Sequence, residues 1–96
     1  MNENPILSIY VATYNHEKYI VQALESIRMQ VTDYQYEVLV GEDCSTDNTR
    51  KVLQSYEAEH PGFATFLYRE QNMHSEQINN AAELKRRCRG KYIIAL

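Results

Sequence analysis

Residues 36–50 read Y-E-V-L-V-G-E-D-C-S-T-D-N-T-R, and this stretch indicates the fold most clearly. Its first half, residues 36–42, predicts a strand around the apolar run at 38–40. The polar residues that follow favour the start of a helix, because Ser45 or Thr46 can cap one and Asp47 suits its first turn. A strand that leads through a short polar loop into a helix is typical of α/β folds.

The residues before this stretch predict another strand and another helix. Residues 6–12 are apolar and β-rich, as in a strand that is buried on both faces. Asn15 can cap a helix that begins near Glu17. That helix is supported by an apolar stripe at helical spacing, formed by Ile20, Ala23, Leu24, Ile27 and Val31.

The residues after it repeat the alternation. The second helix is expected to reach about Glu59 and to stop at the H-P-G sequence of residues 60–62, and residues 63–69 and 92–96 predict two more strands. Alternating strands and helices pair in parallel through right-handed crossovers. The predicted fold class is therefore α/β, with an open, mainly parallel, Rossmann-like sheet. The third helix is expected to be capped by Ser75, with Ile78, Ala81, Ala82 and Cys88 facing inward.

One domain is expected, because 96 residues can bury only one modest core. Residues 1–5 are interpreted as an N-terminal tail and residues 6–96 as the folded part. The fourth predicted strand stops in mid-run at Leu96, which favours a truncated domain. An open sheet edge of this kind could also pair with a second copy of the chain.

Composition and charge argue against several classes of protein. The net charge of −3 gives no basic field for nucleic acid, although residues 85–91 gather cations that either end a solvated helix or face a phosphate or membrane surface. Cys44 and Cys88 form no C-x-x-C motif, so zinc is not indicated and both thiols are expected to be reduced. We find no signal peptide and no membrane span, so a cytoplasmic protein is expected.

Two loops are candidates for a binding site. In an open α/β sheet, ligands bind outside the carboxyl ends of the strands, which selects residues 13–16 and residues 42–45. Tyr14 offers an aromatic face on which a base can stack. Asp43 offers a carboxylate that can accept a hydrogen bond from an imide N–H or a ribose hydroxyl. Together, the two loops predict a pocket for a nucleoside.

The glycines argue against the two best-known phosphate-binding motifs. Gly41, Gly62 and Gly90 form neither G-x-G-x-x-G nor G-x-x-x-x-G-K-[S/T]. A classical dinucleotide fold and a P-loop NTPase are therefore disfavoured. Without a glycine-rich cradle, a bound diphosphate needs a metal ion or basic side chains, so a metal-dependent nucleotide site with its metal ligands elsewhere is expected.

These motifs resemble those of the family 2 glycosyltransferases. Residues 8–15, S-I-Y-V-A-T-Y-N, are similar to the family's first strand and P-T-Y-N turn, and residues 36–50 to its second strand and D-D-x-S-x-D-x-T turn. Asn72 and residues 79–80 are similar to its asparagine-bearing helix start. Residues 90–96, G-K-Y-I-I-A-L, resemble the strand that precedes the family's D-x-D. The resemblance covers residues 6–96 and implies a GT-A-type fold.

The resemblance implies transfer of a sugar from a nucleoside diphosphate donor, usually UDP-linked, with inversion at the anomeric carbon. The acceptor would be a saccharide or a lipid-linked saccharide, in cell-surface polysaccharide synthesis. Tyr14 would flank the base and Asp43 would accept its imide N–H. Thr13 and Asn15 would shape the turn beneath the nucleoside, while Ser45 and Asp47 would mainly hold the loop. The nucleotide-binding residues that the resemblance predicts are Ala12, Thr13, Tyr14, Asn15, Glu42, Asp43 and Ser45.

The resemblance also implies a divalent metal, Mn or Mg, and a general base. Both would follow Leu96, so no metal ligand or catalytic residue is assigned and the chain by itself is expected to be inactive. The full-length enzyme could lie at the inner face of a membrane.

Four residues depart from the family's motifs, and one of them is His74, which stands where a Gly is common after Asn72. Ala12 replaces a Pro, Glu42 replaces the first Asp, and Cys44 stands where Gly is common, which predicts that this turn avoids a positive φ.

Two other classes of protein stay open. A receiver-like signalling domain would accept a phosphoryl group on Asp43, but such domains carry acids after the first strand and the acceptor after the third. Here the carboxylates of Glu42 and Asp43 follow the second strand. A non-catalytic interaction protein would keep the fold without the metal site.

Overall fold

The computed structural model describes residues 5–30, 35–73 and 79–96. Strands and helices alternate along these residues, and the strands pair in parallel. In chain order the elements are β1 (Leu7–Thr13), α1 (Ile20–Gln30), β2 (Tyr36–Glu42), α2 (Thr49–Glu59), β3 (Thr65–Tyr68), α3 (Asn80–Arg87) and β4 (Tyr92–Ala95). The predicted α/β fold with an open parallel sheet is confirmed.

The order of the strands determines which face of the sheet each helix covers. The described strands lie in the order β3-β2-β1-β4. Because β1, β2 and β3 follow one another in one direction, right-handed crossovers place α1 and α2 on the same face, and the return to β4 places α3 on the other. α1 and α2 accordingly share one buried cluster with β1 and β2, formed by Ile9, Val11, Ile20, Leu24, Ile27, Val38, Val40, Leu53 and Tyr56.

A polar link joins α1 to α2 beside this cluster. The Tyr56 hydroxyl donates to Glu25 Oε1 at 2.6 Å, and Arg28 Nε donates to the same oxygen at 2.7 Å. The hydrogen bonds from Arg28 and Tyr56 lower the pKa of Glu25 to about 2. Burial and the bond to Glu25 raise the pKa of Tyr56 to about 12. Glu25 is therefore ionised, and Tyr56 neutral, throughout the ordinary pH range.

α3 lies in direct contact with the backbone of β2. A Cβ atom built on Gly41 would lie 2.3 Å from Asn80 Oδ1 and 2.9 Å from Leu84 Cδ1. Asn80 is buried, and its Nδ2 donates to the Gly41 carbonyl at 2.9 Å. A glycine at position 41 therefore allows the first turn of α3 to rest on β2, which holds the amino end of α3 near the carboxyl ends of the strands.

At the opposite end of the sheet, Glu37 fixes the entry into β4. Ser8 Oγ donates to Glu37 Oε2 at 2.6 Å and accepts from the Gly90 N–H at 2.7 Å. The Arg89 N–H donates to the same carboxylate at 2.7 Å, and its Nε at 3.1 Å. Arg89, one of the cations at residues 85–91, is thus paired with Glu37, whose carboxylate positions the start of β4.

The first two helices begin later than predicted. α1 begins at Ile20 instead of near Glu17, and the Asn15 side chain bonds to residues 46 and 47 instead of capping it. α2 begins at Thr49 with Asn48 at the N-cap position, so the prediction that Ser45 or Thr46 caps it was wrong. Both errors have one cause, because the polar side chains assigned as local caps are used in contacts between the two loops.

α3 also begins later than predicted. Asn79 is its N-cap, and the side chain of Asn79 accepts from the Ala82 N–H. Leu84 is completely buried, whereas Ala82, which was predicted to face inward, is exposed. The predicted cap Ser75 and the predicted core residues Ile78 and Val31 lie outside the described residues.

Two predictions concern contacts of the chain with a membrane and with a second copy of itself. In the described residues, no helix is long and apolar enough to cross a membrane. β3 and β4 are the outer strands of the sheet formed by those residues. The pairing of an open edge with a second copy stays a prediction.

We predict that Gly41→Ala destabilises the protein by about 1–3 kcal/mol, because the new methyl group overpacks the contact with Asn80 and Leu84. Urea unfolding followed by circular dichroism measures the change. Ala82→Ser, a change of one small atom at an exposed position of α3, serves as the control and should stay within about 0.5 kcal/mol. Equal stability of the two variants would contradict the close packing of α3 on β2.

Candidate functional site

A cavity lies at the carboxyl ends of β1 and β2. Its volume is about 250 Å³. This is slightly below the range of roughly 300–1,000 Å³ that is typical of small-molecule sites, and it suits part of a ligand the size of a nucleotide. The residues that line it are Ala12, Thr13, Tyr14, His16, Asp43, Asn79, Asn80 and Ala81.

Four of the seven residues predicted from the sequence line this cavity, namely Ala12, Thr13, Tyr14 and Asp43. The parallel register explains why they meet, since Thr13 lies opposite Glu42 and both strands end at this level. The Asp43 N–H then donates to the Thr13 carbonyl at 3.0 Å, which continues the ladder by one bond. An aromatic ring and a carboxylate from neighbouring strands thus face one space.

Asp43 is held by the segment that follows β3. It is 2% exposed, and its Oδ1 accepts from the Met73 N–H at 2.8 Å. Its backbone carbonyl accepts from Asn72 Nδ2 at 3.1 Å. Asn72, whose similarity to the family's asparagine was noted from the sequence, therefore contacts the backbone of the loop that carries Asp43.

The sequence analysis missed the contribution of α3 to the cavity. Asn79, Asn80 and Ala81 line it from the first turn of the helix. The predicted helix start at Ser75 concealed this arrangement. Two signals were available. The family resemblance placed an asparagine-bearing helix start at residues 79–80, and a helix that returns from β3 to a parallel β4 must begin at the carboxyl end of the sheet.

His16 is exposed and also lines the cavity. Its Nδ1 lies 2.9 Å from the hydroxyl of Thr13, which is itself buried. Its backbone N–H donates to Thr49 Oγ1 at 2.8 Å. The backbone and one ring nitrogen of His16 are therefore both held at the rim of the cavity.

The other three predicted residues, Asn15, Glu42 and Ser45, are not among those that line the cavity. Glu42 is completely buried, and its carboxylate accepts from Arg50 Nε and from the Ser45 N–H, each at 2.7 Å. Arg50 also donates to the Arg69 carbonyl. Glu42 therefore ties the loop to α2 and to the end of β3, and its predicted contact with a nucleotide stays a prediction.

Arg69 extends this network to α3. Its Nε donates to Asn80 Oδ1 at 3.1 Å, and its Nη1 lies 2.5 Å from Glu83 Oε1. The Asn80 amide therefore bridges Arg69 and the Gly41 carbonyl. Charged groups behind the cavity thus hold the first turn of α3 in place, although Asn80 itself faces the cavity.

Cys44 corrects a prediction about the turn after Asp43. It has a φ of 58°, in the left-handed region that favours glycine, whereas the presence of Cys was predicted to exclude a positive φ there. Asn15 has a φ of 56° in the facing loop. Asn tolerates this conformation better than most residues, but Cys adopts it at a cost of about 1 kcal/mol or more.

The described residues contain no group of three His, Cys, Asp or Glu side chains that could hold a metal ion. The carboxylates nearest to the cavity are already engaged, Asp43 with a backbone N–H and Glu42 with Arg50. These residues therefore do not fit a divalent metal, and no metal ligand is assigned among them.

The described residues form an α/β domain with a cavity at the carboxyl ends of its parallel strands. The chain belongs to glycosyl transferase family 2, whose model matches residues 8–96. The GT-A-type fold expected from the resemblance is confirmed by the solved structures that the chain matches.

Among relatives, the chain is similar to a chondroitin synthase of Escherichia coli, with 39% identity over 90 residues, which are 93% of this chain and 12% of that protein. It is also similar to a putative teichuronic acid biosynthesis glycosyltransferase of Bacillus subtilis, with 32% identity over 95 residues, 99% of this chain and 36% of that protein. The chain therefore spans about a third or less of the length of these two relatives.

Among solved structures, TarS 1-349 of S. aureus in complex with UDP superposes with a TM-score of 0.71 and 30% identity, over 94% of this chain and 26% of that one. Its complex with UDP-GlcNAc superposes with a TM-score of 0.70 and 30% identity, over 94% of this chain and 25% of that one. A mannosyltransferase of Pyrobaculum calidifontis in complex with GDP-Man and Mn²⁺ superposes with a TM-score of 0.66 and 27% identity, over 83% of this chain and 24% of that one.

We predict that Arg50→Met destabilises the protein by about 2–4 kcal/mol, because it leaves the buried Glu42 carboxylate without its cation. The figure lies below that for a fully buried pair because 35% of the Arg50 side chain is exposed. Arg28→Met removes the partner of Glu25, a carboxylate that is far more exposed than Glu42, and should destabilise the protein less than Arg50→Met does. Chemical unfolding at neutral pH measures both, and a smaller loss for Arg50→Met would contradict the structural role of Glu42.

Proposed function

We propose that this chain is the donor-binding part of an inverting glycosyltransferase that transfers a sugar from a nucleoside diphosphate, UDP in the first instance, to a saccharide or lipid-linked acceptor. The observation that carries the proposal is the meeting of Tyr14 and Asp43 at one cavity on adjacent parallel strands. Family membership supports the class of reaction. The TarS complexes with UDP and UDP-GlcNAc support the class of donor.

The cavity supplies complementary groups for a nucleobase. The Tyr14 ring provides a face for stacking, worth about 1–3 kcal/mol per base. The Asp43 carboxylate accepts the imide N–H of uracil, and the surrounding protein strengthens this bond because it excludes water. Ala12 and Thr13 form part of the wall, and the first turn of α3 closes the cavity on the other side.

The place of the reaction in the cell follows from the relatives and forms part of the proposal. The relatives named for chondroitin and teichuronic acid synthesis support a role in making a cell-surface polysaccharide. The free thiols of Cys44 and Cys88 support a cytoplasmic location, with the full-length enzyme at the inner face of a membrane.

The neighbouring mannosyltransferase complex contains Mn²⁺, and we extend the need for a divalent ion, Mn or Mg, to this protein. Such an ion supplies Lewis acidity to a leaving diphosphate. The described residues do not provide its ligands. The contribution of those residues is to bind and orient the nucleoside.

Asp43→Asn tests the contact with the base. The carboxylate accepts from N3–H of uracil but faces a lone pair on N3 of cytosine, so the protein should bind UDP at least about tenfold more tightly than CDP. The variant, whose amide can also donate, should weaken UDP binding and reduce this preference to about threefold or less. Isothermal titration with both nucleotides in the presence of Mn²⁺ measures the ratio.

Glu59→Gln, which neutralises an exposed carboxylate at the end of α2, is the matched control and should leave both affinities unchanged. Thermal unfolding of Asp43→Asn without ligand measures whether the variant is folded, which separates a loss of affinity from a loss of folded protein. An unchanged ratio of UDP to CDP affinity in folded Asp43→Asn would remove Asp43 from the base-binding site.

Tyr14→Leu tests the stacking contact separately. Loss of the ring should weaken UDP and CDP binding by similar factors of about 5–100, because stacking does not depend on the hydrogen-bonding edge of the base. Tyr14→Phe keeps the ring and should stay within about threefold of the wild type. If Tyr14→Leu changes the UDP to CDP ratio but not the individual affinity for CDP, stacking is not the role of Tyr14.

A further inference from the structure

The loops that follow β1 and β2 are joined by hydrogen bonds that run in both directions. We infer that Asn15 is a positioning residue: its side chain locks residues 13–17 to residues 45–49 and so sets the placement of Tyr14 relative to Asp43, without touching the nucleotide itself. We call these two segments the clamp. The inference rests on the proposed function. The family resemblance counted Asn15 among the nucleotide-binding residues and implied that it shapes the turn beneath the nucleoside, and the inference adds the partners on the second loop through which Asn15 acts.

One set of hydrogen bonds in the clamp uses backbone donors of the first loop. Three successive N–H groups donate to every second side chain of the second loop. The pairs are Asn15 N–H to Ser45 Oγ at 2.9 Å, His16 N–H to Thr49 Oγ1 at 2.8 Å and Glu17 N–H to Asp47 Oδ2 at 3.4 Å. The motif S-x-D-x-T at residues 45–49 therefore acts as a row of acceptors for the neighbouring loop.

The other set of hydrogen bonds is made by side chains of the first loop. Asn15 Oδ1 accepts from the Thr46 N–H at 2.8 Å and from the Asp47 N–H at 3.2 Å, and Asn15 Nδ2 donates to Thr46 Oγ1 at 3.1 Å. Glu17 Oε1 accepts from the Asn48 N–H at 3.1 Å. Each loop therefore satisfies polar backbone groups of the other.

The chemistry of position 15 fits asparagine for two reasons. Its backbone is left-handed, with a φ of 56°, which Asn adopts more readily than most residues. Its amide offers both an acceptor and a donor, and the clamp uses both. An Asp here would lose the donor and place a second carboxylate beside Asp47.

The position of Asn15 in the chain explains how the clamp reaches the cavity. Asn15 is exposed and is not among the residues that line the cavity, but Tyr14 directly precedes it and His16 follows it. On the other loop, Ser45 is two residues from Asp43. The clamp therefore holds the backbone that follows each of the two residues that are proposed to contact the base.

The test compares Asn15→Gly, Thr46→Ala and the double variant. Glycine permits the left-handed backbone, so Asn15→Gly removes the side-chain bonds without adding strain. UDP affinity should fall about tenfold in Asn15→Gly and about threefold in Thr46→Ala. The double variant should lose about tenfold, because the bonds to Thr46 are already lost. The UDP to CDP ratio should fall in all three, because Asp43 is displaced relative to Tyr14.

Ser26→Ala is the matched control for Thr46→Ala. Its hydroxyl also makes one exposed hydrogen bond, at 2.8 Å, but within α1. It should leave UDP affinity unchanged. If Asn15→Gly weakens UDP while Thr46→Ala does not, Asn15 contacts the nucleotide directly and the inference is wrong. If both variants lower the unfolding free energy but leave UDP affinity and base preference intact, the clamp only braces the fold and the inference is likewise wrong.

Failure of the proposed function has a separate signature. Wild-type protein that binds no UDP would overturn that function. Wild-type protein that binds UDP, with affinity and base preference unchanged in Asn15→Gly and Thr46→Ala, would instead leave that function standing and overturn the inference alone.

Discussion

The parallel pairing of β1 with β2 is the constraint on which the rest of the structure depends. The two strands pair over seven residues each, from Leu7 opposite Tyr36 to Thr13 opposite Glu42, so both end at the same level. The two following loops must then leave the sheet side by side. A shift of the register by one residue would turn alternate side chains to the opposite face and would bury Leu39 where Val38 and Val40 now pack.

Polar contacts then convert two adjacent loops into a defined site. The buried Glu42 carboxylate connects the second loop to Arg50, and Arg69 connects the end of β3 to Asn80. None of these groups is needed for an apolar core. A buried ion pair is weak evidence for stability but supports a specific arrangement of the elements that it joins. Here the elements joined are those that surround the cavity.

The sequence was sufficient to predict the alternation of strands and helices, the parallel sheet and the two loops that meet at its carboxyl edge. It was not sufficient to predict the helix starts. Asn15, Ser45 and Thr46 are good capping residues, and nothing local shows that their partners lie about 30 residues away. Glu42 is different, because it shares the alternation of Val38 and Val40, and this parity could have placed its side chain on the buried α2 face.

The contribution of α3 was hidden for a related reason. Its true cap, Asn79, is one of several polar residues in this part of the chain, and choosing Ser75 moved the predicted helix start away from the cavity. The choice of Gly41 is also explained only in three dimensions. In the sequence, nothing distinguishes Gly41 from its neighbours in the strand. In the structure, Asn80 Oδ1 lies so close to Gly41 that a Cβ atom at this position would be only 2.3 Å from it.

The left-handed backbone at Cys44 has a consequence for the order of folding. An isolated chain seldom adopts this conformation at a cysteine, so the loop after β2 is rarely in its final form before its surroundings are. The pairing of β1 with β2 and the contacts with the facing loop offset the cost. The region around Asp43 is therefore expected to assemble in the last part of the folding reaction, after the transition state for sheet formation has been crossed.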